Sequence, residues 1–380
     1  MSATFTQDEI YRYSRHLMIP EVGLDGQRKL KETSMLLVGA GGLGSPAAFY
    51  LAAAGVGRIG LVDDDVVDAS NLQRQILHDT AHVGELKAES GKEKLLALNP
   101  YIEVNAISTC FNSESAAGIA RDYDIILDCT DNFATRYLIN DLCVLTGKPE
   151  VYGAIYRFEG QVSVFDSRRG PCYRCLFPTL PPPELSPSCS DAGVFGILPG
   201  VIGTMMATEA IKLALGIGSP LVGQLMIYDA LETSFQRIAF PKQANCEVCG
   251  QTPSIKSLLD STQSCGDATL FSLSPDERIT PSDLAEALQK PVPPLLLDVR
   301  SPVEQQISSL ENAVNIPLEQ LSDRLDELDR QKEIVVFCRT GRRSARAVEI
   351  LHSAGFPRVK NLTGGINAWV SQYQPGAFQY

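Results

Sequence analysis

Four groups of residues in this 380-residue sequence have types and spacings suited to chemistry. The run Gly39-Ala40-Gly41-Gly42-Leu43-Gly44 has the glycine spacing of a turn that lets backbone approach phosphate, with a helix N-terminus adding positive potential. Cys172-Tyr173-Arg174-Cys175 and Cys246-Glu247-Val248-Cys249 each present two thiolates on a tight turn. Cys338-Arg339-Thr340-Gly341-Arg342-Arg343 sets one cysteine among three arginines. Cys189, in Ser188-Cys189-Ser190-Asp191-Ala192-Gly193, follows a proline-rich stretch at 178–187.

The glycine run alone does not separate NAD from ATP. Asp63 follows about 20 positions later, where an acid meets ribose hydroxyls in dinucleotide folds. Ser70-Asn71-Leu72-Gln73-Arg74-Gln75 and then Lys87 add two fixed cations. A hydride-transferring enzyme has no triphosphate to neutralise. An adenylating enzyme must offset charge growing on the α-phosphate and the departing pyrophosphate. The competing reading makes Arg74 and Lys87 solvated surface charges. Asp131-Asn132 lies just beyond a candidate strand at 124–128, at the end where α/β proteins bind ligands. Asp131 is the better candidate to hold magnesium, whereas Asp128 equally suits loop capping.

The two Cys-x-x-Cys pairs together supply a tetrahedral site from Cys172, Cys175, Cys246 and Cys249. Four protein ligands leave no open position, so structural zinc is expected, clipping together segments distant in sequence. Redox pairs or buried thiols are the alternative. Cys189, next to an expected flexible loop, suits attack on an acyl-adenylate as thiolate, and equally suits an inert small residue. Cys110, Cys129, Cys143 and Cys265 show no partner pattern and read as ordinary core or surface cysteines.

Cys338 falls between a strand at 334–337 and a helix starting near residue 344. Such a loop can wrap backbone N–H groups around the sulfur, and three arginines favour thiolate or persulfide over thiol. A cysteine phosphatase also carries a cysteine at such a turn. It ranks lower because that chemistry typically uses a different loop ending and an acid on a separate segment.

Positioning these groups calls for two α/β units. Residues 1–250 alternate short β-rich runs with helical stretches, including strands at 34–38, 58–62, 124–128, 224–228 and 234–239 and a helix at 45–54. A Ser- and Asp-rich linker is expected over 251–274, and a smaller unit over 275–380, with a helix at 281–289 and strands at 295–299 and 334–337. The net charge of −12 argues against a general nucleic-acid role. The uncharged stretch 192–208 falls short of a membrane span, and residues 1–13 lack the marks of a signal peptide, so a cytoplasmic protein is expected.

Taken in order, 38–44, Asp63-Asp64-Asp65, 70–75 and Asp128-Cys129-Thr130-Asp131-Asn132 resemble the MoeB/ThiF family, relatives of the ubiquitin-activating enzymes, over about residues 5–250. The resemblance implies a Rossmann-like, homodimeric adenylyltransferase acting on the C-terminal Gly-Gly of a small β-grasp protein. It implies that Gly42, Asp63, Asn71, Arg74, Lys87 and Asp131 contact ATP or its magnesium. It also implies that Arg15 reaches the neighbouring subunit's nucleotide, and it matches the family's zinc cysteines and crossover-loop cysteine, here Cys189. Leu297-Asp298-Val299-Arg300, Asn315-Ile316-Pro317 and Leu362-Thr363-Gly364-Gly365 with Trp369 resemble a rhodanese domain, which implies a persulfide on Cys338. The family's Gly-His-Ile-Pro-Gly-Ala stretch is replaced by residues 306–313.

The joined resemblances imply adenylation of a ubiquitin-like sulfur carrier, followed by sulfur transfer from Cys338. The donor is thiosulfate or a persulfide donor such as a cysteine desulfurase. Molybdopterin synthesis is the first choice of pathway, beside thiamine, cysteine and tRNA thiolation. The competing functions are an NAD-dependent oxidoreductase with an accessory domain and a noncatalytic scaffold for carrier proteins. Neither a nucleic acid nor a membrane is an expected partner.

Overall fold

A computed structural model describes residues 4–179, 193–259, 273–374 and 376. The chain forms two compact units, Met1–Cys265 and Gly266–Tyr380.

Eight strands build the sheet of the first unit: β1 Ser34–Val38, β2 Arg58–Val62, β3 Glu103–Ile107, β4 Ile125–Asp128, β5 Glu150–Tyr156, β6 Glu159–Phe165, β7 Gln224–Asp229 and β8 Ser234–Ala239. Their order is β3-β2-β1-β4-β5-β6-β7-β8, parallel through β5 and antiparallel beyond. Strand β1 is buried at every position, as its unbroken apolar sequence requires when both sheet faces are covered. Val38 is in register with both Val62 and Asp128, so the loops leaving β1, β2 and β4 emerge side by side at one sheet edge.

The helix Gly44–Ala54 follows the glycine turn and stops at Gly55, whose φ is +82°. A Cβ on Gly55 would stand 2.6 Å from the ring of Tyr13. That buried tyrosine accepts a hydrogen bond from Asn99 Nδ2 at 2.8 Å. It therefore plugs the two short helices Gln7–Arg12 and Ser14–Leu17, the second carrying Arg15, onto the core.

The helix Leu198–Leu215 is long and apolar enough to cross a membrane by length and composition, yet it packs against Gly44–Ala54, β5 and β6. The contact is close. A Cβ on Gly153 of β5 would meet Met206 Sδ at 2.2 Å, and one on Gly160 of β6 would meet Ile202 Cδ1 at 2.3 Å.

The second unit is a parallel sheet of β9 Arg278–Ile279, β10 Leu295–Asp298, β11 Val314–Asn315, β12 Ile334–Phe337 and β13 Val359–Leu362, in the order β11-β10-β12-β13-β9. The pair Asp298–Arg300 is fully buried beside it, the guanidinium donating to both carboxylate oxygens and to the Ser308 carbonyl. That carbonyl lies in the stretch that departs from the rhodanese pattern, so the departure still closes around the buried arginine.

Two sequence expectations change. Ile255 and Leu258 pack against the first unit, so the chain leaves that unit later than Gln251. Cys110 is disulfide-bonded rather than an ordinary thiol. Burial holds the Cys129 and Cys143 thiols well above their ordinary pKa, in keeping with inert core cysteines. Cys189, Cys265 and most of the proline-rich stretch lie outside the described residues.

Candidate functional site

The glycines of the turn after β1 serve separate needs. Gly39 takes φ +99° and lies against the next strand, where a Cβ would meet the Cys129 carbonyl oxygen at 2.7 Å. A Cβ on Gly44 would fall 2.1 Å from the Gly39 carbonyl, so this glycine lets the helix start directly on the turn. Between them, the N–H groups of Gly41, Gly42 and Leu43 find no partner among the described residues. A helix N-terminus with free amides is suited to phosphate.

Asp63 at the end of β2 accepts from the Ala40 and Asp65 amides at 2.8 and 3.0 Å. Burial raises its carboxyl above the ordinary value, while Lys87 pulls the other way. Lys87 is buried, donating to Asp65 Oδ2 at 2.8 Å, which rules out the solvated-charge reading for this residue. Arg74 is half-buried, donates to Asn71 Oδ1 at 3.1 Å, and flanks the turn, since a Cβ on Gly42 would lie 3.8 Å from its Cγ.

Two further residues of this segment escaped the sequence reading. Gln75 donates to Asn71 Oδ1 over Gly41, and its own Oε1 is buried without a partner. His78 bridges the Ala40 carbonyl at 2.9 Å and Ser90 Oγ at 3.0 Å. Burial lowers its pKa, so the neutral ring donates from Nε2 to the carbonyl. It ties the glycine turn to the helix Lys87–Leu98, and nothing in a lone histidine announces such a clamp.

The loop after β4 divides its acids by role. Asp128 is fully buried and accepts from the Thr130 amide at 3.0 Å, the Thr130 hydroxyl at 2.6 Å and Arg136 Nε at 3.2 Å. It is the capping acid. Asp131 is exposed just beyond, on the edge shared with the glycine turn and Asp63. Asn132 caps the helix Phe133–Thr146 through its Oδ1, which accepts from the Thr135 amide at 2.8 Å. Its carboxamide oxygen thus already has a structural partner. Arg15 is exposed on its anchored helix.

The four sulfurs of Cys172, Cys175, Cys246 and Cys249 lie within 4.8 Å of one another. Measured pairs stand at 3.4, 3.6 and 4.0 Å. A disulfide needs about 2.05 Å, whereas a tetrahedron with ~2.3 Å metal–sulfur bonds has edges near 3.8 Å. The donor set fits a closed tetrahedral ion. It joins the turn after β6 to the chain after β8. Arg174, within the first knuckle, pairs with Asp141 through both oxygens at 2.7 and 2.8 Å.

In the second unit, the loop after β12 closes on Cys338, whose side chain is buried. The Gly341 amide donates to Sγ at 3.2 Å, with Gly341 at φ +100°. Ser344 Oγ stands 3.4 Å from the sulfur and donates to Asn361 Oδ1, while Asn361 Nδ2 donates to the Gly341 carbonyl. The amides of Ile366 and Asn367 hold the Cys338 and Arg339 carbonyls at 2.8 and 3.1 Å, turning those oxygens away from the sulfur. Gly365 is required there, since a Cβ would meet the Cys338 carbonyl at 2.4 Å.

The expected triple-arginine cradle is corrected at one position. Arg343 pairs with Glu304 through two bonds of 2.6 and 2.7 Å, so its charge is neutralised locally. Glu304 also closes a capping box with Ser301 at the start of the helix Pro302–Ile307.

Free helix-end amides above an acid and a buried lysine, beside a sheet edge, define a nucleotide-binding α/β domain; a sulfur ringed by a glycine-bearing loop defines a sulfur-carrying one. Residues 13–248 match the ThiF family and residues 280–372 the rhodanese-like domain, and the chain belongs to the ThiF family with a rhodanese-like domain following it. It is 45% identical over 389 residues to a probable adenylyltransferase/sulfurtransferase MoeZ of Mycobacterium tuberculosis, covering all of this chain and 97% of that one. It is 46% identical to the adenylyltransferase and sulfurtransferase MOCS3 of Drosophila grimshawi, covering 97% of this chain and 85% of that one. Among solved structures, E. coli MccB with ATP shares the fold, at TM-score 0.54 and 24% identity over 63% of this chain and 74% of that one.

Proposed function

We propose that the first unit uses ATP to adenylate the C-terminal glycine of a ubiquitin-like sulfur-carrier protein, and that the second converts the product to a thiocarboxylate with sulfur from a Cys338 persulfide. One observation carries this reading. A single chain holds both a phosphate-ready turn with buried Lys87 and a closed single-sulfur loop, and relatives matched over nearly the whole chain are named for both activities.

Asp63 would receive the ribose and the free amides of Gly41 and Gly42 the phosphates. Lys87, Arg74 and the partner subunit's copy of Arg15 would offset charge on the departing pyrophosphate. Asp131 would hold magnesium, and the four cysteines a structural zinc. In the transfer step the terminal sulfur of Cys338 attacks the acyl carbon and AMP leaves, giving an acyl disulfide. A second thiolate, for which Cys189 is the candidate, attacks the Cys338 sulfur. The thiocarboxylate leaves as a disulfide forms between the two cysteines. Cytoplasm suits the thiols of the metal knuckles and of Cys338. A homodimer, a molybdopterin-synthase small subunit as carrier, and thiosulfate or a desulfurase-borne persulfide as donor complete the reading.

The test is ATP–pyrophosphate exchange with candidate Gly-Gly carriers, followed by mass spectrometry after adding thiosulfate. Carrier-dependent exchange and a carrier that gains one sulfur are expected. Absence of exchange with every carrier, in folded zinc-loaded protein, overturns adenylation.

A further inference from the structure

Arg136 is buried to 6% exposure, in the first turns of the helix that Asn132 caps. Its Nε donates to Asp128 Oδ2 at 3.2 Å and its Nη2 to the Thr130 carbonyl at 2.9 Å. Two aromatic rings flank the guanidinium, Tyr152 at 5.0 Å and Phe133 at 5.4 Å. One cation therefore grips both ends of the turn Asp128–Thr130, and the next residue is the exposed Asp131. Neither the nucleotide site nor the metal knuckle as described above uses this arginine.

We infer that Arg136 is a positioning residue for the nucleotide site, fixing the Thr130 turn so that Asp131 presents its carboxylate at the sheet edge. The inference rests on the reading of Asp131 as the magnesium-holding group. A carboxylate on an untethered loop must be ordered each time it binds, whereas one set by a buried bidentate grip is already placed. Glu150, at the start of β5, is fully buried, and both its carboxyl oxygens lack a partner. Burial, with Asp128 adding to it, raises the Glu150 acid well above its ordinary pKa, while Arg136 pulls the other way.

The test measures ATP binding by calorimetry on the full-length protein, with magnesium and with EDTA. Arg136→Lys keeps the charge but not the two-pronged grip, and should weaken binding about tenfold with magnesium, the scale of losses beneath a metal ligand. With EDTA it should bind as wild type does. In an Asp131→Asn background the same substitution should cost nothing further. An equal loss with and without magnesium, or a full additional loss in the Asp131→Asn background, overturns the inference by making Arg136 a general fold element. Asp131→Asn binding unchanged in magnesium overturns the underlying assignment of Asp131 instead.

If Arg136→Lys does not fold, Thr130→Val removes the hydroxyl donated to Asp128 and leaves the buried cation in place. It must show the same magnesium-restricted loss, and a magnesium-independent loss counts against the inference. Glu150→Gln, a neutral isostere, should bind ATP as wild type does, and weakened binding would show that the acid is ionised and shares the arginine.

Discussion

The two units solve one problem, holding charge at the end of a parallel strand, in opposite ways. In the first, the loop after β1 brings no charged side chain of its own, and offers free amides instead. A buried cation, Lys87, arrives from a separate helix and pairs with Asp65. In the second, the Cys338 sulfur is part of the loop itself, and the arginines are close by in sequence. One of them is already neutralised by Glu304. The difference follows from what each must hold. A large polyanion that comes and goes needs an open backbone surface with distant charges converging on it, whereas a single sulfur fixed to the chain needs a loop wound around it.

Breaking that contrast at its strongest point means Cys338→Ala. Sulfur gain by the carrier should vanish, with ATP–pyrophosphate exchange retained, and mass spectrometry of carrier and enzyme reads both. Loss of exchange as well would mean that the units do not divide the labour. Lys87→Met should lower exchange on the order of 100-fold, as loss of a preorganised charge does, and leave sulfur loading of Cys338 intact.

A smaller effect concerns pH. His78 is held neutral in the fold, and its ordinary pKa is 6.5. As pH falls through 6.5 the unfolded chain takes up a proton that the folded chain resists, so this histidine's share of stability is present above that pH and lost below it. Urea midpoints of His78→Gln should therefore decline less than wild type between about pH 7.5 and about pH 5.5. An identical decline would mean that the ring protonates freely in place. The smallest effect is expected from Glu304→Gln, which removes the carboxylate paired with Arg343. Stability should fall by about 1 kcal/mol, and KM for thiosulfate should drop. An unchanged KM would show that Arg343 does not face the sulfur.

How much was legible in sequence follows the same contrast. Strands β1, β2, β8 and β12 match the expected bounds residue for residue, because their β-rich runs stop at clear breaks: the glycine turn after Val38, the acidic run Asp63-Asp64-Asp65, Pro241 just past β8, and the Cys338 loop. Strands β5 and β6 were missed. Gly153 and Gly160 interrupt their pattern, and those glycines exist because the helix Leu198–Leu215 lies almost on the backbone. Strand β3 was missed because it is only half-buried and carries Glu103 and Asn105. Sites made from contiguous residues, the glycine turn and the Cys338 loop, were readable. The pairings of Lys87 with Asp65, Arg343 with Glu304 and His78 with Ala40 were not, since each depends on which elements the fold brings together.

The cysteine knuckles have a consequence for the chain's topology. With an ion in place they close a ring of roughly 70 residues between Cys175 and Cys246, a cross-link that resists separation of its ends as a covalent bridge would. A protease that cuts once within that ring would leave two polypeptides still fastened together. They would run as separate bands under denaturing electrophoresis, yet travel as one particle through a sizing column until a chelator opens the clasp.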